Sequence, residues 1–101
     1  MLIAVDFDGV IHNPDARPAG HRMGVPIAGA VDALDSLLAA GHTVVVHTVR
    51  DNSDGHVGRW LDYFGIDRSI PVTNFKPNAD LFIDDKAIRF TDWDSVLKQM
   101  V

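Results

Sequence analysis

The strongest constraint on this chain is the way its apolar residues are grouped. They come in short continuous runs, Leu2–Phe7, Thr43–Val46, Ile70–Val72 and Leu81–Ile83, with longer mixed stretches between them. Runs of this length fit strands covered on both faces. The stretches between read differently. From about Ala28 to Ala40, Val31, Leu34, Leu37 and Leu38 recur at helical spacing, and Gly41 supplies the stop. Val57, Trp60, Leu61 and Phe64 mark one face of a second helix, closed by Gly65. Strands alternating with helices predict an α/β fold, a mainly parallel sheet with helices on both faces. A chain of 101 residues has room for one such domain, spanning 1–101.

The remaining segments refine that expectation. His12–Pro26 is a long loop holding three prolines and two glycines, and loops of this length are often functional. Pro71 confines the third strand to an edge or a strand start. Ile88–Phe90 reads as a short edge strand. Asp94 or Thr91 is the expected cap of a last helix whose Val96, Leu97, Met100 and Val101 face inward.

Composition excludes several classes. No apolar run approaches the roughly 20 residues of a membrane span, and Asp6 and Asp8 interrupt the N-terminal run too early for a signal peptide. The chain has no cysteine, hence no disulfide and no thiolate zinc site, which suits a cytoplasmic location. Nine basic residues face 14 acidic ones, for a net charge of -5, which disfavours an extended nucleic-acid track. All of the acids are Asp, a residue that favours turns and compact cation sites over helix interiors.

Several of these acids fall where a site belongs. In open parallel sheets, ligands bind beyond the carboxyl ends of the strands. Asp6 and Asp8 end the first strand, Thr48 and Arg50 follow the second, and Asp84 and Asp85 end the fourth. Lys76 is the exception, in the loop entering that fourth strand. Residues i and i+2 of a strand share a face, so Asp6 and Asp8 are both candidates for one spot. Four carboxylates together repel strongly unless a cation joins them. Oxygen ligands without a Cys or His pattern favour Mg²⁺, which usually shares its shell with a phosphate. The Thr48 hydroxyl, the adjacent backbone N–H groups of Val49 and Arg50, and the Lys76 ammonium suit a phosphoryl group held during transfer. A carboxylate beside the ion can act as nucleophile, and its neighbour as general acid and then base. The Arg50 guanidinium suits either phosphate or an ordinary ion pair. None of the five histidines forms a metal cluster by spacing; His12, His47 and His56 are rim candidates or ordinary satisfied side chains. Arg17, His21 and Arg22 in the long loop are candidate contacts for an anionic substrate.

Asp6-Phe7-Asp8-Gly9-Val10, Val44-Val45-Val46-His47-Thr48, Lys76-Pro77 and Phe82-Ile83-Asp84-Asp85, in this order, resemble the four motifs of the haloacid dehalogenase superfamily. The resemblance spans residues 2 to 90. It implies a Rossmann-like three-layer fold with strand order 5-4-1-2-3, Asp6 as nucleophile and Asp8 as general acid/base. It also implies phosphoryl binding by Thr48 and Lys76, and Mg²⁺ held by the terminal acidic pair. Neither usual insertion point holds enough chain for a cap domain, so the resemblance is to small capless phosphatases. Their open sites take large substrates or are completed by a neighbouring copy, which makes a homodimer an expectation here. The implied activity is hydrolysis of a phosphomonoester, either a phosphorylated small molecule or a terminal nucleotide. Two other readings use the same residue types. A signalling receiver domain carries an acidic pair, a phosphorylated Asp, a Thr and a Lys, but with the acidic pair first. A catalytically idle phospho-binding relative would normally lack one motif residue, and all are present here.

Overall fold

A computed structural model describes residues 1–101. Strand β1 (Leu2–Asp6) leads through a two-residue antiparallel pair, β2 (His12–Asn13) and β3 (Val25–Pro26), into helix α1 (Ala30–Ala39). Strand β4 (Thr43–His47), helix α2 (His56–Tyr63), β5 (Val72–Thr73), β6 (Leu81–Ile83) and helix α3 (Trp93–Gln99) follow. The four longer-range strands form one parallel sheet in the order β5-β4-β1-β6. This is the α/β architecture the sequence predicts. The sheet has four strands, so the expected five-stranded order 5-4-1-2-3 is not formed. Ile88–Phe90 forms no strand, so β6 is left as a free edge. No helix is long and apolar enough to cross a membrane.

The register of β1 on β4 pairs Ile3 with Val44 and Val5 with Val46. These four side chains share one face with Phe7, Ile11, Leu34 of α1, and Val57, Trp60 and Leu61 of α2 in a single buried cluster. Both crossover helices therefore cover the same face, as right-handed connections running in one direction across a sheet require. Burying these branched and aromatic side chains supplies the main driving force, about 1.5–3 kcal/mol for each large one. Helix α1 stops where Gly41 takes a φ of +89°, letting the Gly41 and His42 N–H groups reach back to the Leu38 and Leu37 carbonyls. Helix α2 follows a left-handed Gly55 and is capped from upstream. Asn52 Oδ1 accepts from the Val57 N–H and Asp54 Oδ1 from the His56 N–H.

Two C-terminal expectations fail. The cap of α3 is Asp92, whose Oδ1 accepts the Ser95 N–H at 2.8 Å, rather than Thr91 or Asp94. The helix also buries no residue: Leu97, Met100 and Val101 are exposed and Val96 is half-covered. Its apolar residues do not face a core because the sheet face that could receive them is not brought against the helix.

Candidate functional site

Side chains from the carboxyl ends of three adjacent strands converge. Asp6 closes β1, and Asp84 and Asp85 follow β6, its neighbour in the sheet. One carboxylate oxygen from each lies within 4.8 Å of the other two. Burial pushes the Asp6 carboxyl above its ordinary value. A hydrogen bond from the Phe7 N–H opposes this, and the charges of Asp84, Asp85 and Asp8 add to the rise. Three acids at this spacing are a repulsive arrangement that a hard divalent cation relieves. The close approach depends on Gly9, at φ +86°, where any Cβ would overlap the Asp85 carboxylate.

Asp8 is placed differently. It is outside this trio, and both of its oxygens are engaged by other groups. The Arg50 guanidinium donates from Nε to Oδ2 at 2.8 Å and from a terminal nitrogen to Oδ1 at 3.0 Å. His12 Nδ1 lies 2.7 Å from Oδ1. His12 is fully buried, and its Nε2 accepts the Gly24 N–H at 2.8 Å. That acceptance leaves the imidazole proton on Nδ1, where it donates to Asp8. Burial works against ionising Asp8, but the hydrogen bonds from Arg50 and His12 outweigh it, and the carboxyl sits below its usual range. Arg50 is thus found in an ion pair rather than presented to solvent as a free phosphate ligand, and Asp8 holds its charge more firmly in return.

Beyond β4, Thr48 is buried, and its hydroxyl oxygen accepts the Arg50 N–H at 3.1 Å. The hydroxyl hydrogen is left for another acceptor. The Val49 side chain is 90% exposed, and its N–H donates to no protein acceptor. Lys76 lines a groove of about 530 Å³ together with Asp84, His47 and Phe82. Its ammonium lies over the Phe82 ring, 4.9 Å from the centroid, and is paired with no carboxylate. The structure therefore brings Asp6, Asp84 and Asp85 together, sets Asp8 and Arg50 beside them, and places Lys76 at the mouth of an adjoining groove. Arg17 and His21 are exposed in the long loop, and Arg22 reaches Asp54 at 3.7 Å.

Sequence reasoning missed Asn74 and left His12 between a rim candidate and an ordinary satisfied side chain. Asn74 donates from Nδ2 to the Thr48 carbonyl at 2.8 Å and to the Arg50 carbonyl at 2.7 Å, fixing the turn that carries both residues. No spacing rule points to it. His12, by contrast, stands four residues after Asp8, a separation that signals contact only once the turn at Gly9 is known. A further link leaves the site: the Trp60 Nε1–H donates to the Gly24 carbonyl at 2.9 Å, tying α2 to the loop that holds His12.

No family model matches the sequence, and no curated protein matches it. Among solved structures, the chain is similar to a conserved locus-encoded protein from Bacteroides thetaiotaomicron. The two are 28% identical with a TM-score of 0.66, over 99% of this chain and 88% of the other.

Proposed function

We propose that the protein is a Mg²⁺-dependent phosphomonoester hydrolase working through an aspartyl-phosphate on Asp6. The observation that carries this reading is the division of labour among the carboxylates: three gathered at one point, a fourth held apart beside them by Arg50 and His12. The donor set of three carboxylates fits a hard cation, and Mg²⁺ held by Asp6, Asp84 and Asp85 would offset the repulsion between the nucleophile and an incoming phosphate.

The residues then divide the reaction. The substrate phosphoryl group meets the Thr48 hydroxyl and the Val49 N–H, with Lys76 supplying positive charge from the groove. A carboxylate oxygen of Asp6 attacks phosphorus as the ester P–O bond breaks, and the leaving oxygen takes a proton that Asp8 has accepted from the bound phosphomonoester monoanion and passes on. In the second step Asp8 draws a proton from water, the water oxygen attacks the aspartyl-phosphate, and inorganic phosphate leaves with Asp6 restored. Arg50 and His12 hold Asp8 ionised in the free protein, the state required for this base step. A base so close to the acyl phosphate also disfavours the long-lived phospho-form of a receiver domain.

One observation favours a nucleotide or a nucleic-acid terminus among phosphomonoesters. A groove of about 570 Å³ lies against α2 and the long loop, and its walls combine Trp60, Tyr63 and Phe64 with Arg22, Arg59 and His56. Aromatic faces with flanking cations suit a base and an anionic backbone. Turnover of an aryl phosphate in Mg²⁺, compared with a panel of nucleotides and sugar phosphates, tests both levels. Asp6→Asn should lower turnover by about three orders of magnitude or more. Full activity in that variant would remove Asp6 from the role. Tyr63→Ala should raise KM for nucleotides while leaving the aryl phosphate unaffected.

A further inference from the structure

His12 is fully enclosed in a core built almost wholly of apolar side chains. An apolar residue would fill that place with no polar ring to satisfy. The imidazole is instead gripped on every side. Phe7 stacks on its face at 5.0 Å between centroids and 5° between planes, and Trp60 meets it edge-on at 5.3 Å and 89°. Both ring nitrogens are paired, and no buried side-chain polar atom is left without a partner. A flip of the ring would turn carbon atoms toward both Asp8 and Gly24.

The hydrogen bonds through this ring run in one direction. The Trp60 Nε1–H donates to the Gly24 carbonyl at 2.9 Å, and the Gly24 N–H donates to His12 Nε2 at 2.8 Å. The Nδ1–H then donates to Asp8 Oδ1 at 2.7 Å. Bonds arranged head to tail in this way polarise one another. Gly24 is itself buried, and a Cβ there would overlap the Asn13 carbonyl, so the middle of the chain of bonds cannot shift.

The consequence appears at the carboxylate. Two oxygens offer about four lone-pair sites. Arg50 occupies one on each oxygen, and His12 takes the second on Oδ1. The remaining site is on Oδ2. We propose that Trp60, Gly24 and His12 form a buried positioning relay that presents Oδ2 of Asp8 as the oxygen that accepts and delivers the proton. The role given to Asp8 rests on the hydrolase reading, whereas the hydrogen bonds themselves do not. No proton moves along the relay, because His12 stays neutral with both nitrogens committed. The long loop from His12 to Pro26 thereby acts on the chemistry by fixing an imidazole, and α2 acts on it through one indole N–H. Trp60 and Gly24 also wall the groove of about 570 Å³, so Trp60 has two roles that kinetics can separate.

Trp60→Phe keeps the aromatic ring and deletes the donor. Its kcat should fall by about ten- to a hundredfold for an aryl phosphate and a nucleotide alike, with the aryl phosphate KM unchanged. A groove wall alone would raise KM for the nucleotide and leave aryl phosphate kcat untouched. His12→Asn keeps a donor where Nδ1 stood, and His12→Gln keeps an acceptor where Nε2 stood. The relay predicts the higher kcat in the Asn variant, whereas a residue that only fastens the loop predicts the reverse order. Long-range proton–nitrogen NMR on the metal-free wild type gives a readout independent of turnover. The His12 signals, identified by their loss in His12→Gln, should show a proton on Nδ1 and a bare Nε2. A proton on Nε2 overturns the relay, as does an unchanged aryl phosphate kcat in a folded Trp60→Phe protein, or a Gln variant at least as active as the Asn variant. A wild type that turns over no phosphate ester marks failure of the hydrolase reading and of the catalytic role with it, and the NMR result keeps that failure distinct from a missing relay.

Discussion

Asp6 and Asp8 are two residues apart and are pushed in opposite directions. Burial and neighbouring acids hold the Asp6 carboxyl above its ordinary value, so its ionised form opposes folding, and stability of the metal-free protein falls as pH rises through that value. Asp6→Asn should therefore raise the metal-free Tm by a few degrees, about what 0.5–1 kcal/mol gives in a chain this size. Mg²⁺ should raise the wild-type Tm and act less on the variant, as differential scanning fluorimetry would show. Asp8 has the reverse sign. Its depressed pKa contributes stability that is complete above the unfolded value near ~3.9 and is lost as pH falls through the folded value. Arg50→Ala should lower stability at neutral pH by about 1 kcal/mol, a small figure because the pair is about one-third exposed, and the cost should shrink on acidification. Acid titration of the two proteins, followed by circular dichroism, measures the difference. The residue types of the site were legible because they follow strand ends. The separate placement of Asp8 was not, since two acids on one strand face read identically until the Arg50 and His12 contacts are known.

Two glycines and one indole hold the elements in register. Gly9 allows β1 to turn while the Asp85 carboxylate approaches, so Gly9→Ala should displace Asp85 and weaken Mg²⁺ binding by calorimetry, even where the fold survives. At Gly24 a Cβ would overlap the Asn13 carbonyl, which closes the small β2–β3 pair to any larger residue. Trp60→Phe keeps the aromatic packing against Phe7 but strands the buried Gly24 carbonyl, a loss of about 1–3 kcal/mol in chemical denaturation. Sequence pattern located β1, β4 and both crossover helices because each has a side that must be buried, and β6 through its short apolar run although its residues stay exposed. It failed where burial does not decide. The β2–β3 pair has two residues per strand and no period to read. Ile88–Phe90 has strand-like composition but gains no pairing, and Asp92 was passed over as cap between two equally suitable neighbours.

At the scale of the molecule, charge is distributed unevenly. Asp6, Asp8, Asp84 and Asp85 account for four of the 14 acids, so the remaining surface carries 10 acids against nine bases and is close to neutral. The net charge of -5 is thus largely a property of the site, and it presents less of a barrier to a nucleic-acid terminus than the total suggests. The buried cluster runs from Ile3 to Ile70, and every member precedes the loop leading to β6. During synthesis the whole apolar nucleus therefore emerges before Asp84 and Asp85 do. The chain can condense first and acquire its remaining acidic ligands afterwards, as a late addition to a body already formed. Substitutions in the last thirty or so residues should accordingly alter ion affinity with little effect on folding speed.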